Sequence, residues 1–524
     1  MKTLIKNGTV VDGLNNPAEF LDVLIENDSI IAVGKDIQIP VEEIIDASGL
    51  YVTPGFIDTH THTDLANFIP EGMKPKIMQG ITTEIAGQCG LGVAPVPREK
   101  QSTFRSRLII GNPDIQWRWE TFAEYMTALE HHGLESNIMP FIPHGVLRWV
   151  VKGDSSESLT ADDKVQMAEL ARASFKAGAK GLSLGLIYHP ALFSKEEELQ
   201  VMMEVAAEFD RPVAVHLRSE SDTIIEAIDE IAALARKTGC RIHLSHLKLM
   251  GERNAWKLDD LLKKVDEYGY SFDHYPYNYG STTLFSVLPP FLFDERSYEE
   301  ALEDITLPDV RETIKDWFSE KILPDPSLSW DNVPALTGWH NVTITSLQTK
   351  ENEKYLGKTI EACAQKTGQD PVDFMLDLLI QERGQVMMIN HYMDISLMET
   401  ILQRPDGMIG SDALMTGIPH PRVYGAYPRI LNQYVFGSQM LSLELAIHKM
   451  TGLAAKTFEI HDRGVIQEGK KADIVIFSDQ ITDHGTESHP DQFASGIHHL
   501  FINGQSKIKE GIYQPTRAGV VLKA

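Results

Sequence analysis

Between residues 51 and 413 the chain alternates short apolar runs with helical patterns, and no other feature limits its fold as strongly. Such alternation is the mark of βαβ units and a parallel sheet or barrel. The runs are YVTPGFID, ITTEIAGQCG, NIMPFIPHG, GAKGLSLGLIY, RPVAVHLRSE, CRIHLSHLK, YSFDHYPYN, GQVMMINHY and GMIGSDA. Patterns such as DDKVQMAELARASFKAG and SDTIIEAIDEIAALARKTG lie between them and read as helices. Nine runs exceed the eight places of a (β/α)8 barrel, so one lies outside it. SFDHYPYN and GQVMMINHY are the two to suspect. The polar, acidic stretch between them, 290–345, reads as an inserted subdomain.

Both ends of the chain have a different texture. TLIKNGTVVDG and FLDVLIENDSIIAVG near the start, and GKKADIVIFSD, HHLFINGQSKIKEG and GVVLKA near the end, are short strands broken by Gly, Asn-Gly and Asp-Gly steps. The organisation expected is an α/β chain with a TIM-like metal-dependent hydrolase barrel over 55–462. A small β-sandwich domain is built from 1–54 and 463–524, and 290–345 is inserted in the barrel.

A length of 524 residues allows two or three domains. The formal net charge of −26 argues against nucleic acid or an anionic membrane as partner. The opening MKTLIKNGTVVDG is too polar for a signal peptide, and no window approaches a membrane span. Three cysteines, Cys89, Cys240 and Cys363, are too few for a disulfide framework, so a reducing cytoplasm is expected.

Chemistry concentrates at the ends of the strands. Tyr51, Val52 and Gly55–Phe56–Ile57 read as one buried parallel strand whose carboxyl end carries Asp58, His60 and His62. Residues two apart share a face, so the two imidazoles point the same way and suit a divalent metal. The second strand ends at Cys89, the fifth at His216, the sixth at His246 and the last at Asp412. Singly, Cys89 could be an inert buried thiol, the histidines core residues and Asp412 a helix cap. Their shared placement at one end of successive strands, where barrel enzymes carry their catalytic groups, favours a metal site.

The HxH after TPGFID, the two later histidines and the final GSD resemble the amidohydrolase superfamily. Within it, GQCGLGVAP, GLSLGLIY, HLRSE, SHLK, YPYNYGST, HPRVYGAYPRIL and the DRGVIQEGKKADIVIF tail resemble the N-acyl-D-amino-acid deacylase (D-aminoacylase) family over nearly the whole chain. The resemblance implies a zinc-dependent amide hydrolase. Cys89, His216 and His246 would hold a tight zinc. His60, His62 and Asp412 would line a second, weaker position, with Cys89 bridging. A thiolate with two imidazoles suits zinc and leaves a fourth place open, as catalysis requires. Lys180, the nearest candidate for a metal-bridging carbamylated lysine, lies at the wrong end of its strand.

Asp412 would take a proton from metal-activated water and return one to the leaving amine. Lys248 and Arg422 match positions that grip the substrate's α-carboxylate, a task suited to an arginine fork. Tyr188 and Ser281 match substrate-contacting positions. His144 and Arg148 are either supports of the site or plain structure. Gln88, Ser219, Leu247, His189 and Glu84 depart from the family's usual residues, and none of them is a metal ligand. Two other readings compete: an amidohydrolase acting on a cyclic amide or dipeptide, and a non-catalytic scaffold.

Overall fold

The computed structural model describes residues 1–111, 113–294, 296–320 and 330–524. Glu295 and residues 321–329 of the expected insertion lie outside the described residues.

Two sets of parallel strands form the middle of the chain. Phe56–Asp58, Ile81–Ala86 and Asn137–Pro140 make a three-stranded sheet. Ile142–Pro143, Leu182–Gly185, Val213–His216, Ile242–Leu244, Ser271–His274 and Gly407–Ile409 make a six-stranded one. The sets are joined at both margins. Phe141 carries the chain from one to the other and its N–H donates to Ala86 O at 2.9 Å. At the opposite margin Thr61 bridges Ala413, and Asp412 N donates to His60 O at 2.7 Å. Nearly every residue in these strands is buried, as expected of parallel strands covered on both faces.

Amphipathic helices supply that cover. Ile224–Thr238 buries Ile224, Ala227, Ile228, Ile231 and Leu234, a spacing that lays one apolar stripe on the sheet. It ends at Gly239, whose φ of 71° is the left-handed conformation that glycine adopts without strain. Ala161–Lys176 starts on a capping box between Thr160 and Asp163, which satisfies amide groups the helix cannot.

Of the two suspect runs, one joins the parallel strands and the other does not. Ser271–His274 pairs in parallel with Gly407–Ile409. Met387–His391 pairs antiparallel with Tyr279–Thr283 and Val342–Ser346 in a separate three-stranded sheet. The chain between Ser271–His274 and Gly407–Ile409 therefore holds that sheet as well as the helices Tyr298–Asp304 and Pro308–Phe318.

The termini meet in one hydrogen-bonded sheet of nine strands. Tyr51–Pro54 lies between Lys2–Val10, parallel to it, and Ile474–Thr482, antiparallel to it. Ile5, Val23, Ile25, Val52, Ile474 and Ile476 form part of its own small core. The single strand expected over residues 51–58 is thus divided at Gly55 between two sheets. A Cβ at Gly55 would stand 2.3 Å from the Thr82 side chain, so only glycine lets the chain change sheets this close to its neighbour. Among the described residues no helix is long and apolar enough to cross a membrane.

Candidate metal centre and active site

The six residues expected at the strand ends come together. His60 and His62 follow Phe56–Asp58, Cys89 follows Ile81–Ala86, and His216 ends Val213–His216. His246 follows Ile242–Leu244, and Asp412 follows Gly407–Ile409. None of the six is more than 8% exposed. Cys89, His246 and Asp412 have φ of 54°, 35° and 49°, left-handed values that side chains other than glycine seldom adopt. Such strain persists where the surroundings over-determine it, typically at functional sites. Gly185 is part of those surroundings: a Cβ there would fall 1.7 Å from Cys89 O.

Cys89 Sγ lies 3.2 Å from both His60 Nε2 and His246 Nε2. His60, His62 and Cys89 form one cluster of donor atoms within 4.8 Å, and Cys89, His216 and His246 form a second. Cys89 belongs to both. Asp412 Oδ1 stands 3.1 Å from His62 Nε2 and 3.7 Å from His60 Nε2. Burial holds His60 well below its ordinary pKa and lowers His216 to about 3, so both are neutral imidazoles with lone pairs to give. Among the described residues, neither nitrogen of His216, nor Nδ1 of His60 or His62, has a hydrogen-bond partner. Burial, reinforced by Asp412, pushes the Cys89 thiol well above its ordinary value, so a thiolate there needs a further cation beside it. Unpartnered imidazoles around a thiol are the donor set of a divalent soft metal, and the residues present fit one.

Supporting groups hold this cluster. Burial works against the charge on Asp412, but Arg422, His62, His246 and His60 hold its carboxyl well below the usual range. Arg422 Nη2 is 2.9 Å from Asp412 Oδ2 and donates to Ser281 O at 3.3 Å. Its guanidinium sits 4.5 Å from the centre of the Tyr275 ring. Lys248 Nζ donates to both carboxylate oxygens of Glu220, at 2.7 and 2.8 Å, and contacts His246 Nδ1 at 2.7 Å. Tyr188 packs edge-on to His216, with its hydroxyl 3.1 Å from Thr282 Oγ1.

Two carboxylates at the site were not picked out from the sequence. Glu220 lies inside the HLRSE run but carries no signal separating it from a surface acid. It neutralises Lys248 and stands 3.1 Å from His246 Nδ1. Asp273 accepts from His246 N at 2.6 Å, Thr59 Oγ1 at 2.9 Å and His243 Nε2 at 2.8 Å. It also faces His60 Nδ1 at 3.8 Å. A strand acid before a histidine was the only hint, on a run whose place in the fold was itself in doubt.

Other expected positions fall elsewhere. Lys180 points to Glu459 O, away from the cluster. His144 and Arg148 both bond Glu198. Ser219 and Ser221 bond Asp331, and Gln88 reaches Thr59 O. Two cavities meet the site. One of about 80 Å³ is lined by Tyr188, Lys248, Ser281 and Asp412. The other, about 480 Å³, runs from His62 and Cys89 to Phe104, Trp149 and Phe293.

Comparison with known proteins adds to this geometry. A sequence profile described as Amidohydrolase family matches residues 43–256 and 330–505. The chain is 31% identical over 525 residues to a D-aminoacylase of Alcaligenes xylosoxydans xylosoxydans, covering 99% of this chain and 97% of the relative. It is 30% identical over 515 residues to an N-acyl-D-aspartate deacylase of the same organism, covering 96% and 91%. Among solved structures, an N-acyl-D-glutamate deacylase from Bordetella bronchiseptica, complexed with zinc and a phosphonate inhibitor, matches with a TM-score of 0.83 and 28% identity, covering 100% of this chain and 99% of that one.

Proposed function

This chain belongs to the amidohydrolase family, and on that premise we propose that it hydrolyses the amide bond of N-acyl-D-amino acids to a carboxylate and a free D-amino acid. The observation that carries the reading is the pair of donor clusters sharing Cys89, set beside Asp412. Full-length similarity to named deacylases supports the substrate class. In this reading the two sets of parallel strands close into a (β/α)8 barrel over 55–462. Residues 1–54 and 463–524 form the small β-domain, and 290–345 is part of the insertion. Three free cysteines suit a reducing cytoplasm.

Cys89, His216 and His246 would hold a tight zinc, and His60, His62 and Asp412 a second, weaker ion. Metal bound there would polarise the scissile carbonyl and bring the pKa of water from ~15.7 to ~7. Asp412, ionised and anchored by Arg422, takes the proton from the attacking water. It returns a proton to the amine nitrogen as the C–N bond breaks, a role usually worth ~10²–10⁴ in rate. Arg422, whose Nη2 holds Asp412, would pair with a substrate α-carboxylate. Lys248, which lines the smaller cavity, would add positive charge there, Glu220 holding its ammonium in place. Tyr188 and Ser281 line the same small cavity and would contact the substrate between them.

The test compares N-acetyl-D-amino acids with their L-forms and with a hydantoin, zinc supplied. Hydrolysis of the D-compounds at least tenfold faster than of the others is expected. Preference for the hydantoin would move the enzyme to cyclic amides, and no hydrolysis of any of them would mark a scaffold.

A further inference from the structure

Directly behind the centre lies a buried ionic network that the mechanism does not use. Lys76, on the short helix Lys74–Ile77, is wholly buried, as are Asp58, Glu84 and Ser411. Its ammonium contacts Asp58 Oδ2, donates to Ser411 Oγ at 2.6 Å and stands 3.7 Å from Glu84 Oε1. Asp58 Oδ1 in turn accepts from Ser411 N at 2.8 Å and from His60 N at 3.3 Å. Glu84 accepts from Thr63 Oγ1 and Ser136 Oγ, each at 3.3 Å. One ammonium therefore faces side chains from three strands or the turns after them: the strand leading to His60 and His62, the one leading to Cys89, and the one leading to Asp412.

Burying an ammonium between two carboxylates is costly, and a packed apolar cluster would serve stability as well or better. What the ions add here is direction. Asp58 ties the peptide of His60 to that of Ser411, the residue before Asp412, and Lys76 holds the Asp58 carboxylate and the Ser411 hydroxyl at once. We propose that Lys76 is a positioning residue: through Asp58 and Ser411 it holds the His60–His62 turn against the Asp412 turn. It thereby sets the 3.1 Å approach of Asp412 to His62. The inference rests on the proposed role of Asp412.

The test pairs Lys76→Met with the double variant Asp58→Asn/Lys76→Met, since the single change leaves two buried carboxylates without their cation. The single variant should lose Tm, and the double variant should recover most of it. In the double variant kcat should still fall at least tenfold with KM within twofold. Cadmium titration of the metal-stripped protein supplies a readout independent of turnover. The sulfur-to-cadmium absorption of Cys89 should persist with the first ion, while affinity for a second ion drops at least tenfold. A double variant with recovered Tm, wild-type kcat and wild-type second-ion affinity would overturn the proposal and leave Lys76 a plain structural ion. Should neither variant fold, Ser411→Ala removes only the link to Asp412's neighbour. A kcat reduced threefold or more at unchanged Tm supports the proposal, and an unchanged kcat overturns it. If the wild type cleaves no N-acyl-D-amino acid, the functional reading fails, and the cadmium arm alone decides on Lys76.

Discussion

Cys89 and Asp412 approach the same nitrogen, His60 Nε2, at 3.2 and 3.7 Å, and yet should fail differently. Cys89→Ala removes the one donor common to both clusters, so metal content and turnover should fall together, as read by elemental analysis and an activity assay. Asp412→Asn keeps the shape but cannot accept and return a proton. The tight zinc should stay while kcat falls ~10²–10⁴. Glu84 makes a third case. Burial, opposed by Lys76, pushes it up to about 7, so the folded protein favours the protonated acid. Between the ordinary carboxylate value and about 7 the unfolded chain ionises first, so stability falls as pH rises through that window. Glu84→Gln cannot ionise. It should raise Tm at pH 8 and match the wild type near pH 5, as thermal melts at the two values would show. Equal melting curves at both would place the charge of Glu84 in compensation by Lys76. The clustered imidazoles and thiol were legible because such side chains at strand ends have few other uses. Glu220 and Asp273 were not, because an acid's role depends on which cation the fold brings to it, and Lys248 and His243 supply theirs only across the site.

At the scale of elements, the parallel strands were readable because burial on both faces leaves continuous apolar runs. Met387–His391 reads the same way, since a buried antiparallel strand and a buried parallel one share that composition. What separates them is the partner, which local sequence does not name. The split at Gly55 escaped for a related reason: apolar residues continue on both sides of it, and only the close approach of Thr82 reveals the change of sheet. Glycine at a strand end also controls the site. A methyl group at Gly185 would meet the backbone oxygen of Cys89, which cannot swing aside as a side chain can. Gly185→Ala should therefore cost ~1–3 kcal/mol of stability, the usual range for overpacking. It should also lower metal occupancy by displacing Cys89. Thermal melts together with metal analysis check both, and full occupancy at unchanged Tm would mean the strand accommodates the methyl.

Over the whole molecule, the larger cavity bears on which substrates enter. Among the described residues that line it, Arg107 is the sole lysine or arginine, and it is bonded to Asp154 and Glu299. Burial lowers His189 on the same wall to about 4, so it adds no charge at neutral pH. A substrate arm entering this space meets Phe104, Trp149 and Phe293 rather than a free cation. kcat/KM for N-acetyl-D-methionine or N-acetyl-D-phenylalanine should exceed that for the D-aspartate and D-glutamate compounds at least tenfold. Equal rates would mean that Arg107 leaves its partners for the substrate. Metal-dependent cleavage of a D-configured amide is tested most directly by a zinc titration of the stripped protein. With N-acetyl-D-methionine as substrate, activity should vanish on removal of metal and return with about one zinc per chain, the thiolate–imidazole site filling first. Full turnover by protein free of metal, or none after zinc is restored, would contradict it.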